Sequence, residues 1–117
     1  MDVSVGLALL GVFLLGCAAS ESTKEGTALP VSDAVLVIDV RTTEEYNSGH
    51  IAGAVHIPYE VVGDEIAALS TDKERDIVLY CRSGRRSGIA LKTLQDMGYT
   101  HVVNAGGIDE YRKNLGQ

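Results

Sequence analysis

The chain has 117 residues, with 10 basic and 16 acidic side chains and a formal charge of −6. That length holds one domain, and the acidic balance argues against nucleic acid as a partner. Two cysteines, Cys17 and Cys81, and three scattered histidines, His50, His56 and His101, offer no metal-ligand spacing, so no metal is expected.

The apolar residues are unevenly placed. Val3–Ala19 is almost wholly apolar or small, and beyond it there is no Phe or Trp. Residues 1–19 therefore read as a targeting segment. Its end, Leu14-Leu15-Gly16-Cys17, resembles the lipobox of bacterial lipoprotein signals. That resemblance implies cleavage before Cys17 and lipidation of the new terminus. The protein is then expected to be exported, on the periplasmic side, and tethered to a membrane. Several acyl chains anchor more firmly than one, since each buried CH₂ contributes roughly 0.8 kcal/mol. Ordinary signal cleavage near Ala18 or Ala19, or an uncut membrane helix, are the alternative fates. Residues 20–33, rich in Ser, Thr, Glu and Gly, read as a flexible linker.

The globular part is expected over 34–117. Val35 to Val40 is a continuous apolar run broken only by Asp39, which predicts a strand buried on both faces. Thr42-Thr43-Glu44-Glu45 starts a short helix, with a Thr cap and early acids. Ala54–Ile57 is a short strand that Pro58 stops. Val61–Leu69 is a helix with Val62, Ile66 and Leu69 on one face. Ile77–Tyr80 is a third strand, and the helix after it runs to Met97 with Gly98 as its cap. Val102-Val103 lies in a fourth strand closed by Asn104-Ala105-Gly106-Gly107, and a last helix spans about Ile108–Lys113. Strand and helix alternate at spacings that suit parallel crossovers, which predicts a small three-layer α/β domain with a mostly parallel central sheet. Ligands of such sheets bind at the carboxyl ends of strands. Asp39 and Arg41, Cys81, and Asn104–Gly107 stand at three such ends.

The most informative stretch is Tyr80 to Ile89, Y-C-R-S-G-R-R-S-G-I. A strand ends at Cys81, and an amphipathic pattern begins with Ser87, Ala90, Leu91, Leu94 and Met97. A helix N-terminus offers unpaired N–H groups and a positive dipole end, which favour an anion. A free thiol titrates near ~8.5, and such a setting lowers that to roughly 3.5–7.5. Arg82, Arg85 and Arg86 add positive charge on an otherwise acidic body, which suits a small anion over a polyanion. Cys81 is thus the candidate nucleophile. Reading it as a buried small hydrophobe beside solvated arginines leaves the strand–Cys–loop–helix order unexplained.

Three segments together resemble the rhodanese (thiosulfate sulfurtransferase) family, in particular its small exported single-domain type. They are Asp39-Val40-Arg41 with Glu45-Tyr46 and Gly49 to Pro58, then Cys81 to Arg86, then Met97-Gly98-Tyr99 with Asn104 to Gly107. The resemblance implies a rhodanese-like domain that needs no cofactor. It implies that the Cys81 thiolate takes the outer sulfur of thiosulfate, a small anionic donor, and releases sulfite. The resulting persulfide then passes its sulfur to a thiol or to cyanide, in ping-pong fashion. Arg82, Ser83, Gly84, Arg85 and Arg86 become the substrate-binding loop, with the main-chain N–H groups of 82–86 aimed at the persulfide. Arg82 or Arg85 would hold the sulfonate end, and Arg86 would do so or turn back as a structural partner. Ser87 would open the helix and donate to loop carbonyls. Asp39, Arg41 and His50 are expected in buried hydrogen bonds between adjoining strand ends. A monomer is expected.

Two rivals stand beside this reading. Cysteine phosphatases and arsenate reductases need Cys, five residues, then an Arg; here Ser87 fills that position. A persulfide carrier or redox-sensing module with a protein partner would use the same cysteine without fast turnover.

Overall fold

Two largely apolar strands form the centre of the sheet. They are β1 (Val35–Asp39) and β3 (Asp76–Cys81), and in this computed structural model both are buried on both faces. The structure describes residues 29, 30, 32 and 34–117. The expected targeting segment with Cys17, and nearly all of the linker, lie outside the described residues. Among the described residues no helix is long and apolar enough to cross a membrane.

The remaining elements are α1 (Thr43–Asn47), β2 (Val55–His56), α2 (Val62–Leu69), α3 (Arg85–Asp96), β4 (Val102–Gly107) and α4 (Ile108–Asn114). The four strands pair in the order β2-β1-β3-β4, and every pairing is parallel. Alternation along the strands divides the core in two. Leu36, Ile38, Val40, Ile77, Leu79 and Cys81 face one layer, where they pack with Val62 and Ile66 of α2 and Ala90 and Leu94 of α3. Val37, Val78 and Tyr80 face the other, with Ile51, Ala54, Ile108 and Tyr111. This is the three-layer α/β arrangement that the alternating pattern predicts.

Local chemistry sets the element ends. Thr42 and Glu45 form a reciprocal capping box at the start of α1. Gly98, at φ +102, closes α3 in a Schellman motif: its N–H reaches the Gln95 carbonyl, and the Tyr99 N–H reaches that of Leu94. β2 is shorter than expected. Its Ala54 N–H is spent on the Ile51 carbonyl in a turn, and Pro58 has no N–H to offer. β4 is longer than expected. Leu79 pairs with Asn104 but Cys81 pairs with Gly107, so β4 carries one extra residue there. Gly106, at φ +89, lies within that irregular stretch. Two expected core residues stay at the surface. Leu69 ends α2 beside Val55 and Ile57 of the sheet edge, and Met97 lies past the last turn of α3.

The Asp39–Arg41 pair is buried. Arg41 donates through Nε to Asp39 Oδ1 at 3.0 Å and through Nη2 to Oδ2 at 2.7 Å. Nη2 also reaches the Gly49 carbonyl at 2.6 Å. The side-chain bonds thus run from one strand end to the loop after α1, while the Arg41 carbonyl meets His56 Nε2 at the end of the adjoining β2 at 2.8 Å. His50 is not part of them. Gly49, at φ +141, precedes it, and the exposed ring stacks on Tyr46 at 3.7 Å while Nδ1 bonds the Tyr46 carbonyl. Removing one partner of a buried ion pair strands the other charge, at a cost of roughly 3–5 kcal/mol. Asp39→Ala is therefore expected to lose about that much in denaturant unfolding, and a loss below about 1 kcal/mol would show that Arg41 finds other compensation.

Candidate active site

β3 ends at Cys81, and α3 begins only four residues later at Arg85. Gly84 is the N-cap, in a left-handed conformation at φ +98 that other residues adopt with strain. Glycine has no side chain to cap the helix. The Cys81 sulfur occupies the place that a capping oxygen usually takes. Gly84 N–H donates to Sγ at 2.9 Å, and the backbone N–H groups at Ser83 and Ser87 also favour its ionised form. The Ser87 hydroxyl lies 3.4 Å from Sγ.

Cys81 is fully buried. Burial pushes its thiol pKa up, but the hydrogen bonds from the Ser87 hydroxyl and from the N–H groups of Ser87, Ser83 and Gly84 outweigh it. The net shift is downward, toward thiolate. Of the N–H groups from 82 to 86, those of Ser83 and Gly84 act on the sulfur, joined by the N–H and the hydroxyl of Ser87. Ser87 does not open the helix. It is the third residue of α3, buried, with its hydroxyl on the Gly84 carbonyl at 3.2 Å and on Asn104 Oδ1 at 2.6 Å.

The three arginines have different settings. Arg82 and Arg85 are exposed, and neither makes an ion pair or hydrogen bond among the described residues. Arg86 is held: Nη1 and Nη2 donate to the two carboxylate oxygens of Glu45 at 2.9 and 3.1 Å. The Arg86 hydrogen bonds, followed by those from Thr42, hold the Glu45 carboxyl down at about 2 against a burial penalty. Glu45 is thus charged at neutral pH, and its folded-state preference for the carboxylate fades only as pH falls from the usual 4.5 toward 2. The Arg86 cation also lies within the electrostatic reach of Cys81.

Asp39 and Arg41 do not join this cluster. Asp39 pairs with Tyr80 across the sheet, and both face the layer opposite to that of Cys81. The Arg41 guanidinium lies 5.8 Å from the centre of the Tyr80 ring. Tyr80 in turn accepts the Ile51 N–H through its hydroxyl at 3.0 Å. These residues anchor the strand end from behind.

Three residues without an assigned site role complete the arrangement. Asn104 donates from Nδ2 to the Gly84 carbonyl at 3.1 Å and accepts the Gly106 N–H on Oδ1 at 2.8 Å. Gly106 and Gly107 form the floor under the loop. A Cβ on Gly84 would come within 3.3 Å of Gly106 Cα, and one on Gly107 would overlap the Arg82 carbonyl oxygen. The Gly-Gly pair after an asparagine at a strand end was the available signal. Among the described residues no group of three His, Cys, Asp or Glu side chains is placed to hold a metal. A buried cysteine whose ionisation is favoured by donors at a helix N-terminus can attack and carry an electrophilic sulfur atom.

Comparison with known proteins points the same way. A family model described as Rhodanese-like domain matches residues 22–114. The chain is 46% identical over 83 residues to "Thiosulfate sulfurtransferase PspE" of Escherichia coli, covering 71% of this chain and 80% of that protein. It is 38% identical over 73 residues to "Sulfurtransferase" of Allochromatium vinosum, covering 62% of this chain and 66% of that protein. Among solved structures, "rhodanese with anions from E. coli" superimposes with a TM-score of 0.64 at 45% identity, covering 66% of this chain and 91% of that one.

The glycine floor yields a prediction. Gly107→Ala is expected to push the Arg82–Gly84 loop off its seat and weaken the donors on Sγ. The pH midpoint for alkylation of Cys81 by iodoacetamide should then move upward. An unchanged midpoint would mean that the loop does not depend on the floor.

Proposed function

This chain belongs to the rhodanese family, and we propose that it moves sulfane sulfur from thiosulfate to a thiol or cyanide through a Cys81 persulfide. Sulfur transfer in general is the activity its sulfurtransferase relatives support. The single observation that supports the finer reading is Gly84 N–H on the Cys81 sulfur at 2.9 Å, in a loop that also carries two exposed arginines. Preorganised N–H donors of this kind stabilise an anion without reorganising; one such donor is worth about 2.7–4 kcal/mol in a protease.

In the first half-reaction the Cys81 thiolate attacks the outer sulfur of thiosulfate. The Cys81–sulfur bond forms as the sulfur–sulfur bond breaks, and sulfite leaves with the electron pair. Arg82 and Arg85 are the free cations for the sulfonate end. In the second half-reaction a thiolate or cyanide attacks the outer sulfur of the persulfide, and Cys81 leaves as thiolate. The order is ping-pong. The substrate role expected of Arg86 gives way to a structural one in this reading, because Glu45 occupies both of its outer nitrogens. A phosphatase reading is disfavoured by the loop spacing, since Ser87 stands where such an enzyme needs its oxyanion-clamping arginine.

Export and a lipid tether at Cys17 belong to the same proposal and rest on the Leu14–Cys17 motif. Cys17→Ser is expected to release the protein from the membrane fraction; a tether indifferent to that change refutes lipidation. The transfer reading is tested by intact mass. Treatment with thiosulfate should add one sulfur atom, cyanide should remove it as thiocyanate, and Cys81→Ser should take up none while staying folded. Absence of the added sulfur in the unmodified chain would overturn the reading. Sulfur that loads but passes to neither cyanide nor a small thiol would favour a dedicated carrier.

A further inference from the structure

The Ser87 hydroxyl has one proton and faces three acceptors. Asn104 Oδ1 is at 2.6 Å, the Gly84 carbonyl at 3.2 Å and Cys81 Sγ at 3.4 Å. The orientation of the Asn104 amide is settled by its other neighbours. Gly106 N–H at 2.8 Å requires the oxygen on one side, and the Gly84 carbonyl at 3.1 Å requires the NH₂ on the other. Oδ1 therefore faces Ser87 as an acceptor, and at the shortest of the three distances. Asn104 and Cys81 compete for one proton.

We infer that Asn104 is a positioning residue that draws the Ser87 hydroxyl proton away from Cys81 while the sulfur is neutral and yields it when the sulfur is anionic. In the thiol state Ser87 donates to Asn104 Oδ1, and the Cys81 S–H can donate to a Ser87 lone pair. On ionisation the thiol proton leaves to solvent. Ser87 keeps its own proton and turns it toward Sγ, because a charged acceptor outbids a neutral amide. In the persulfide, Sγ is bonded to the added sulfur and carries no formal charge, so the Ser87 proton returns to Asn104. Asn104 thereby limits how strongly Ser87 stabilises the thiolate, and it keeps the sulfur from becoming too weak a nucleophile. Nucleophilicity of a thiolate falls as its pKa falls. The role in turnover rests on Cys81 as the sulfur carrier, but the ionisation itself is measurable without turnover.

The test is the pH dependence of Cys81 alkylation by iodoacetamide in the full chain, read by peptide mass so that Cys17 does not contribute. Asn104→Ala is expected to lower the midpoint, raising the ionisation constant about two- to tenfold, the range of one neutral hydrogen bond. In a Ser87→Ala background, Asn104→Ala should have no further effect on the midpoint. Asn104→Asp covers the case in which the alanine variant does not fold. Its carboxylate is a stronger acceptor for the Ser87 proton, so the midpoint should rise, and by less once Ser87 is Ala. A midpoint unchanged or raised by Asn104→Ala overturns the inference. So does a shift of equal size with and without the Ser87 hydroxyl, which would make Asn104 a structural support only. Thiosulfate loading of the unmodified chain is scored separately, so failure here and failure of the transfer reading are told apart.

Discussion

A sulfur atom with no exposure to water is surrounded by donors that favour its ionised form, and the rest of the site is arranged about that balance. Burial alone would keep Cys81 a thiol. The compensating groups are N–H donors that a helix start leaves unpaired in any case, so no extra side chain has to be buried to supply them. Gly84 makes this possible twice over. It adopts the left-handed turn that brings the chain round, and it leaves the cap position empty for the sulfur.

The loop that does this is short and has little packing of its own. Its shape is set from outside by β4. Asn104, still in register with Leu79, donates to the Gly84 carbonyl, and the irregular pairing just beyond it brings Gly106 and Gly107 against the Arg82–Gly84 backbone. Backbone lies on backbone there, and a side chain on Gly107 would have no room. On the other side, Glu45 grips Arg86 from a helix that is itself capped by Thr42. The first turn of α3 is therefore tied to both flanks of the sheet edge. Arg82 and Arg85 remain outward and unpaired among the described residues. This divides the loop cations into one that organises and two that can meet an anion.

Below the sheet, Asp39, Arg41 and Tyr80 perform a different task. They fill the layer opposite the sulfur: Arg41 donates to Asp39 and to the Gly49 carbonyl, and the Tyr80 hydroxyl accepts the Ile51 N–H. Tyr80 immediately precedes Cys81, so the strand end that presents the sulfur on one face is locked on the other. Position in a motif and position in the site are thus distinct properties. Asp39 and Arg41 lie in the same motif as His50, yet the pair is buried behind the strand and the histidine stacks at the surface on Tyr46.

The alternation of apolar runs and amphipathic segments determined the α/β layering. The abrupt change at Cys81, from Ile77-Val78-Leu79-Tyr80 to glycine, serine and arginine, marked the candidate nucleophile. Those features are local: strand and helix periods and turn residues act over a few positions, and one chain displays them in order. Tertiary structure alone decided the rest. Arg86 meets Glu45 across 41 residues and Ser87 meets Asn104 across 17. The one-residue excess in β4 between Asn104 and Gly107 has no period to betray it. Likewise, which arginine is tied, which carbonyl Asn104 supports and which face Asp39 takes depend on strand order and register. Those are settled when the two apolar cores close on the sheet, and not before.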